Sequence, residues 1–183
     1  MSDDRRHDLN FYAGLHVEGL KNAGLRHQYI LNGPETEVYQ IYDQFETEEH
    51  LVYYPFDSSS SSPVYIVICG SHTASMYAEA LQLAQINPSN TAGNSYEDYA
   101  SFEVAKQLPL SVAGNQVLCP STLNRPIIMT GFSIGGVKAI YSHYYNSDVI
   151  DKTILFNPWI GEFSSGVSFD PSAKLNEWHD QRL

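Results

Sequence analysis

The 183-residue chain has little cysteine, little basic charge and no long apolar run, and each shortage removes a class of proteins. Only Cys69, inside an apolar run, and Cys119, in a loop-like stretch, are present. That is no disulfide framework, and two free thiols are expected. Seven histidines are scattered without the clustered spacing of zinc ligands, so neither a metal nor a cofactor is expected. Ten basic residues against twenty-one acidic ones give a formal charge of −11, which repels nucleic acid and anionic lipid surfaces at long range. No stretch approaches the roughly 18 uninterrupted apolar residues of a membrane span, so no stable membrane insertion is expected. The opening Met1-Ser2-Asp3-Asp4-Arg5-Arg6-His7-Asp8 is too polar for a signal peptide. Unless a leader has been removed, a cytoplasmic or virion-internal location follows.

What is present is an ordinary globular composition, 43% apolar and 17% charged, at a length that suits one domain over residues 1–183. Residues 9–25 read as a short helix weakened by Gly14, Gly19 and Gly24. The Val-, Ile- and Tyr-rich runs 37–43 and 50–56 read as an antiparallel hairpin at a sheet edge. The serine run 58–62 reads as a solvated loop. Val64-Tyr65-Ile66-Val67-Ile68-Cys69 is apolar almost throughout and β-branched, the pattern of a strand buried on both faces. Met76, Ala80 and Leu83, with Tyr77, Leu81 and Ala84, recur at helical spacing. After a loop over 87–95, Ser95 and Asp98 signal a helix start, and Tyr99, Phe102, Ala105 and Leu108 form its stripe. Two more buried strands, 127–130 and 153–156, flank a helix whose apolar face holds Val137, Ile140, Tyr141 and Tyr144. Strands alternating with helices predict an α/β fold: a mostly parallel sheet flanked by helices, with an N-terminal antiparallel hairpin.

Pro126-Ile127-Ile128-Met129-Thr130-Gly131-Phe132-Ser133-Ile134-Gly135-Gly136 puts strand, sharp turn and helix in the order a nucleophile elbow needs. A side chain at Gly131 or Gly135 would collide with a neighbouring strand or helix, and the turn lifts the serine hydroxyl out at the C-terminal edge of the sheet. A bare G-x-S-x-G arises often by accident, and a serine at such a turn can simply cap the helix. The buried strand before it and the amphipathic helix after it make the match more specific. Phosphate binding is the other glycine-rich option, but neither a Gly-Lys-Ser/Thr ending nor a G-x-G-x-x-G is present.

Over residues 64–161 the chain resembles the class three lipases of the α/β-hydrolase fold. Thr130-Gly131-Phe132-Ser133-Ile134-Gly135-Gly136 is similar to that family's T-G-H-S-L-G-G, with Phe132 where histidine is usual. Val67-Ile68-Cys69-Gly70-Ser71 is similar to its strand ending in arginine-glycine-serine or threonine, with Cys69 in place of the arginine. The resemblance implies Ser133 as nucleophile and the backbone N–H groups of Ser71 and Ile134 as an oxyanion hole, the Ser71 hydroxyl being a further candidate donor. The plain alternative for Ser71 is a helix cap. Lipid-like carboxylic esters are the implied substrates, and a triacylglycerol-lipase-like hydrolase the implied enzyme.

The serine needs a histidine base and a carboxylate to orient it, in the chain order serine, acid, histidine. Asp148, Asp151, Glu162, Asp170, Glu177 and Asp180 are the acids after Ser133, and His143 and His179 the histidines. His143 sits about 15 Å along the helix after the elbow. Asp148 and Asp151 precede the next strand, at the wrong end of the sheet. Asp170 with His179 has the right order but little room between the two. His72, beside the oxyanion loop, falls in the wrong order and reads as polar loop surface. Phe156-Asn157-Pro158-Trp159-Ile160-Gly161 resembles the family's loop after the next strand, and the family's acid and histidine come later still. The expectation is therefore a domain incomplete at its C-terminus, with a short polar helix over 173–183. The rival reading is a catalytically inactive lipase-fold protein acting as a binding or structural module. An aromatic share of 13%, with thirteen tyrosines, suits a ligand pocket or an interaction surface.

Overall fold

The structure, a computed structural model, describes residues 10–17, 31–32, 37–84, 96 and 99–158. Helix α1 covers residues 10–17. The strands are β1 (Leu31–Asn32), β2 (Val38–Ile41), β3 (His50–Pro55), β4 (Val64–Ile68), β5 (Ile127–Phe132) and β6 (Lys152–Phe156). Helices α2 (Ala74–Ala84), α3 (Ala100–Ala113) and α4 (Ile134–Tyr145) complete the described elements, with a 3-10 turn at Asp43–Phe45. The strands lie side by side in chain order.

The expected α/β class with an N-terminal antiparallel hairpin is observed, but the expected mostly parallel sheet is not. Among the described residues, β1 through β4 pair antiparallel and only β4, β5 and β6 run parallel. The reason is connection length: residues 56–63 between β3 and β4 are too few for a parallel crossover, which takes about a dozen or more. The run 50–56 is accordingly an interior strand, with β2 on one side and β4 on the other. The serine loop is less free than its composition suggests, because the Ser60 and Ser62 hydroxyls both donate to Glu37 Oε2, at 2.8 and 3.0 Å.

Alternation along the strands divides the core. Val64, Ile66, Ile68, Ile127 and Met129 face α3 and α4, with Ala105, Leu108, Val112 and Ala139 against them. Tyr65, Val67, Cys69 and Ile128 face the other way, toward Tyr12 and Leu15 of α1. Met76 of the first α2 stripe is buried, whereas Tyr77 and Leu81 of the second are exposed. Thr73 caps α2, its Oγ1 accepting the Met76 N–H at 3.4 Å. Pro109 lies inside α3 and leaves the Ala105 carbonyl without its helical donor, so Ser142 of α4 donates to it at 2.8 Å. That bond fixes α4 against α3. β6 is half-buried rather than buried, being the outermost strand of the described sheet. The expected helix beyond residue 17, the Ser95 and Asp98 helix start, the loop over 87–95 and the helix over 173–183 lie outside the described residues.

Candidate active site

Strand β5 ends at Phe132 and α4 begins at Ile134, so Ser133 alone makes the turn between them. Its backbone sits at φ 55°, ψ −124°, off the allowed map for a residue with a side chain and outside the small left-handed helical region. Such a conformation costs on the order of 1–3 kcal/mol and persists only where its surroundings over-determine it. The surroundings here are glycine contacts. A Cβ on Gly131 would stand 2.4 Å from the Gly135 carbonyl oxygen, and one on Gly135 would stand 2.3 and 2.4 Å from the oxygens of Ile68 and Cys69. The first turn of α4 is thereby pressed onto the end of β4. From the other side, the Ser133 N–H donates to the Phe156 carbonyl at 3.1 Å.

The Ser133 hydroxyl makes no capping bond to α4, which removes the plain alternative that this serine is a helix cap. The side chain is part-exposed beside the exposed Phe132 ring. Ile134 opens α4, so its N–H is among those with no partner within the helix, at the positive end of the helix dipole.

The loop after β4 lies against this turn. The Ile68 and Gly131 positions are register partners, and a Cβ on Gly70 would stand 2.7 Å from Phe132 Cδ1 and 3.1 Å from the Phe132 carbonyl oxygen. Ser71 and the Ser133–Ile134 pair therefore share one edge of the sheet. The Ser71 hydroxyl donates to the Met76 carbonyl at 3.2 Å, so it is turned toward α2, and Thr73 rather than Ser71 is the cap. His72 Nδ1 lies 3.0 Å from the Gly70 carbonyl oxygen. A carbonyl only accepts, so Nδ1 carries a proton, and in the neutral ring the lone pair is on Nε2. That Nε2 is shielded from solvent and has no hydrogen-bond partner among the described residues, a loss of about 1–3 kcal/mol if nothing uses it.

The other residues considered from the sequence fall elsewhere. His143, in the last turn of α4, has Nδ1 2.7 Å from Thr153 Oγ1 near the start of β6. The Asp151 carboxylate accepts the N–H of Ile127, the first residue of β5, at 2.7 Å, and Asp148 is exposed. Both are at the edge of the sheet opposite Ser133. Asp170, His179, Glu162, Glu177 and Asp180 lie outside the described residues, as do residues 159–161 of the loop after β6.

Two residues near the site were not singled out from the sequence. His16 of α1 is 7% exposed, with Nε2 2.9 Å from Thr130 Oγ1 and its ring edge-on to Phe156. Burial lowers its pKa from 6.5 to about 4, so it is neutral near pH 7. Its signal was the i, i+3, i+4 spacing with Tyr12 and Leu15. Lys138 of α4 is 2% exposed and ion-paired to Glu49 at 3.0 Å and Glu79 at 3.2 Å. The Ser101 hydroxyl also donates to Glu79, and the Glu49 carbonyl accepts the Cys69 N–H. Lys138 thus links α4 to α2 and to the turn that holds the end of β4. A groove of about 780 Å³ opens between α2, the start of α3 and the turn before β3, with Glu48, Glu49, His50 and Glu79 on its wall; Ser133 does not line it.

Burial pushes the Cys69 thiol up to about 11 and raises that of Cys119, so neither is a reactive thiolate near pH 7. Among the described residues no group of His, Cys, Asp and Glu is placed to hold a metal, and no helix is long and apolar enough to cross a membrane. Comparison with protein-family models, with curated proteins and with solved structures finds no match to the chain.

Proposed function

We propose that the chain is an α/β-hydrolase-type serine hydrolase, of the class three lipase kind, that cleaves carboxylic, lipid-like esters through a Ser133 acyl-enzyme. One observation carries the reading: Ser133 at φ 55°, ψ −124°, between a buried strand and a buried helix, with glycines at the points of closest approach and no cap bond. A backbone so far off the allowed map is kept where it serves a function, and here it presents a hydroxyl at the C-terminal edge of the parallel strands.

In the reaction Ser133 Oγ attacks the ester carbonyl carbon while a base takes its proton. The tetrahedral oxyanion is held by the N–H groups of Ser71 and Ile134, the alcohol leaves with a proton, and water releases the acid from the acyl-enzyme. Each N–H is worth about 3 kcal/mol in the transition state.

The second reading, an inactive binding or structural module, is favoured by one observation: among the described residues neither an imidazole nor a carboxylate is hydrogen-bonded to Ser133 Oγ. Hydrolysis of p-nitrophenyl butyrate decides between them. The expected outcome is turnover by the wild-type chain that falls to the buffer rate in Ser133→Ala. A folded wild-type chain no faster than Ser133→Ala contradicts the hydrolase and leaves the module.

A further inference from the structure

A serine nucleophile needs a base, and the described histidines differ in whether they can serve. His16 has Nε2 on Thr130 and a buried Nδ1 with no partner among the described residues, but its ring is packed against Phe132 and Phe156 and it is 7% exposed; His143 is at the far end of α4, and His50 is separated from β5 by the whole of β4. His72 is different. It follows the Gly70-Ser71 turn, where Gly70 sits so close to Phe132 that a Cβ on it would meet the Phe132 ring and carbonyl, and the Gly70 carbonyl oxygen accepts the His72 Nδ1–H. The imidazole is thereby tied to the glycine that packs on Phe132, the chain neighbour of Ser133. In the neutral ring the lone pair is on Nε2, and that nitrogen is buried with no hydrogen-bond partner among the described residues.

We propose that His72 is the general base for Ser133, with the Gly70 carbonyl in the orienting place that a carboxylate holds in a triad. The proposal rests on the ester-hydrolase reading above. His72 Nε2 takes the proton as Ser133 Oγ bonds to the carbonyl carbon. The resulting imidazolium donates Nδ1–H to the Gly70 oxygen and returns the Nε2 proton to the departing alkoxide. In deacylation Nε2 takes a proton from water, whose oxygen attacks the acyl carbon, and gives it back to Ser133 Oγ. Catalytic hydrogen bonds are commonly long in the free enzyme and tighten around substrate, and the donor that the buried Nε2 lacks is then the Ser133 hydroxyl. A base supplied this way precedes the nucleophile in the chain, so it needs neither an acid nor a histidine after β6.

The test uses the full chain and p-nitrophenyl butyrate. His72→Asn keeps an N–H donor where Nδ1 stands and removes the base, and His72→Ala opens space for added imidazole. The expected result is a fall in kcat of roughly 10²- to 10⁴-fold in both, with wild-type circular dichroism, and partial recovery by imidazole in His72→Ala but not in Ser133→Ala. A folded His72→Asn within about threefold of wild type overturns His72 as the base and leaves the hydrolase reading standing. Loss in both variants that imidazole does not restore makes His72 a structural residue of the loop and also overturns the proposal. A wild-type chain no faster than Ser133→Ala overturns both readings together.

Discussion

The two faces of the sheet differ in their share of aromatic side chains, and the difference bears on the tight turn at Ser133. Under α3 and α4 the sheet presents Val52, Val64, Ile66, Ile68, Ile127 and Met129, aliphatic residues met by Ala105, Leu108 and Ala139. Under α1 it presents Tyr39, Tyr53 and Tyr65 among Ile41, Leu51, Val67 and Ile128, and the Tyr39–Tyr65 and Phe11–Tyr65 rings meet edge to face at 5.1 and 5.2 Å. Aliphatic and glycine surfaces let a helix come close enough for backbone to touch backbone, which is how Gly135 reaches the Ile68 and Cys69 carbonyls. On the α1 side the core also holds a polar pair, His16 Nε2 lying 2.9 Å from Thr130 Oγ1. The strained serine stands where the closely packed face ends.

The largest effect expected from breaking this arrangement is at the close contact itself. Gly135→Ala places a Cβ within 2.4 Å of two backbone oxygens that no side-chain rotation can move. A loss of more than about 4 kcal/mol, or no folded chain at all, is expected in urea denaturation. A mild effect would mean that α4 sits farther from β4 than described.

Next is the buried cation on the same side. Lys138→Met leaves Glu49 and Glu79 as unpaired carboxylates in a partly buried setting, and about 3 to 5 kcal/mol of stability should be lost. Adding Glu79→Gln should return part of that loss. Double and single variants of equal stability would contradict the coupling through Lys138.

The aromatic side yields the smallest effect and a pH signature. The folded chain keeps His16 neutral down to about pH 4, whereas the unfolded chain binds its proton below pH 6.5. This contribution is therefore complete above pH 6.5 and is lost as the pH falls toward 4, about 3 kcal/mol in all. His16→Gln should shrink the stability difference between about pH 7 and about pH 4.5 by that order. An unchanged slope would mean that the His16 imidazole is hydrated.

How far the sequence could be read follows from the range of the interactions. The buried strand 64–68 and the strand, tight turn and helix around Ser133 were legible because their signals are local: β-branched apolar runs, and glycines at fixed offsets from one serine. The mixed sheet was less legible because an apolar strand such as 50–55 looks alike at an edge and in the interior, and only its eight-residue link to β4 sets the direction. Lys138 and Glu49 are 89 residues apart, and His16 and Thr130 are 114 apart, so no spacing rule pairs them. Pro109 marks where Ser142 docks, but a proline inside a helix is informative only once the neighbouring helix is placed.

The most direct measurement of the central claim is covalent labelling of the purified chain with a fluorophosphonate, read by intact mass and by mapping the modified peptide. The account predicts one adduct per chain, carried by Ser133 and absent from Ser133→Ala. A folded wild-type chain that stays unlabelled, or an adduct on another serine, would contradict it.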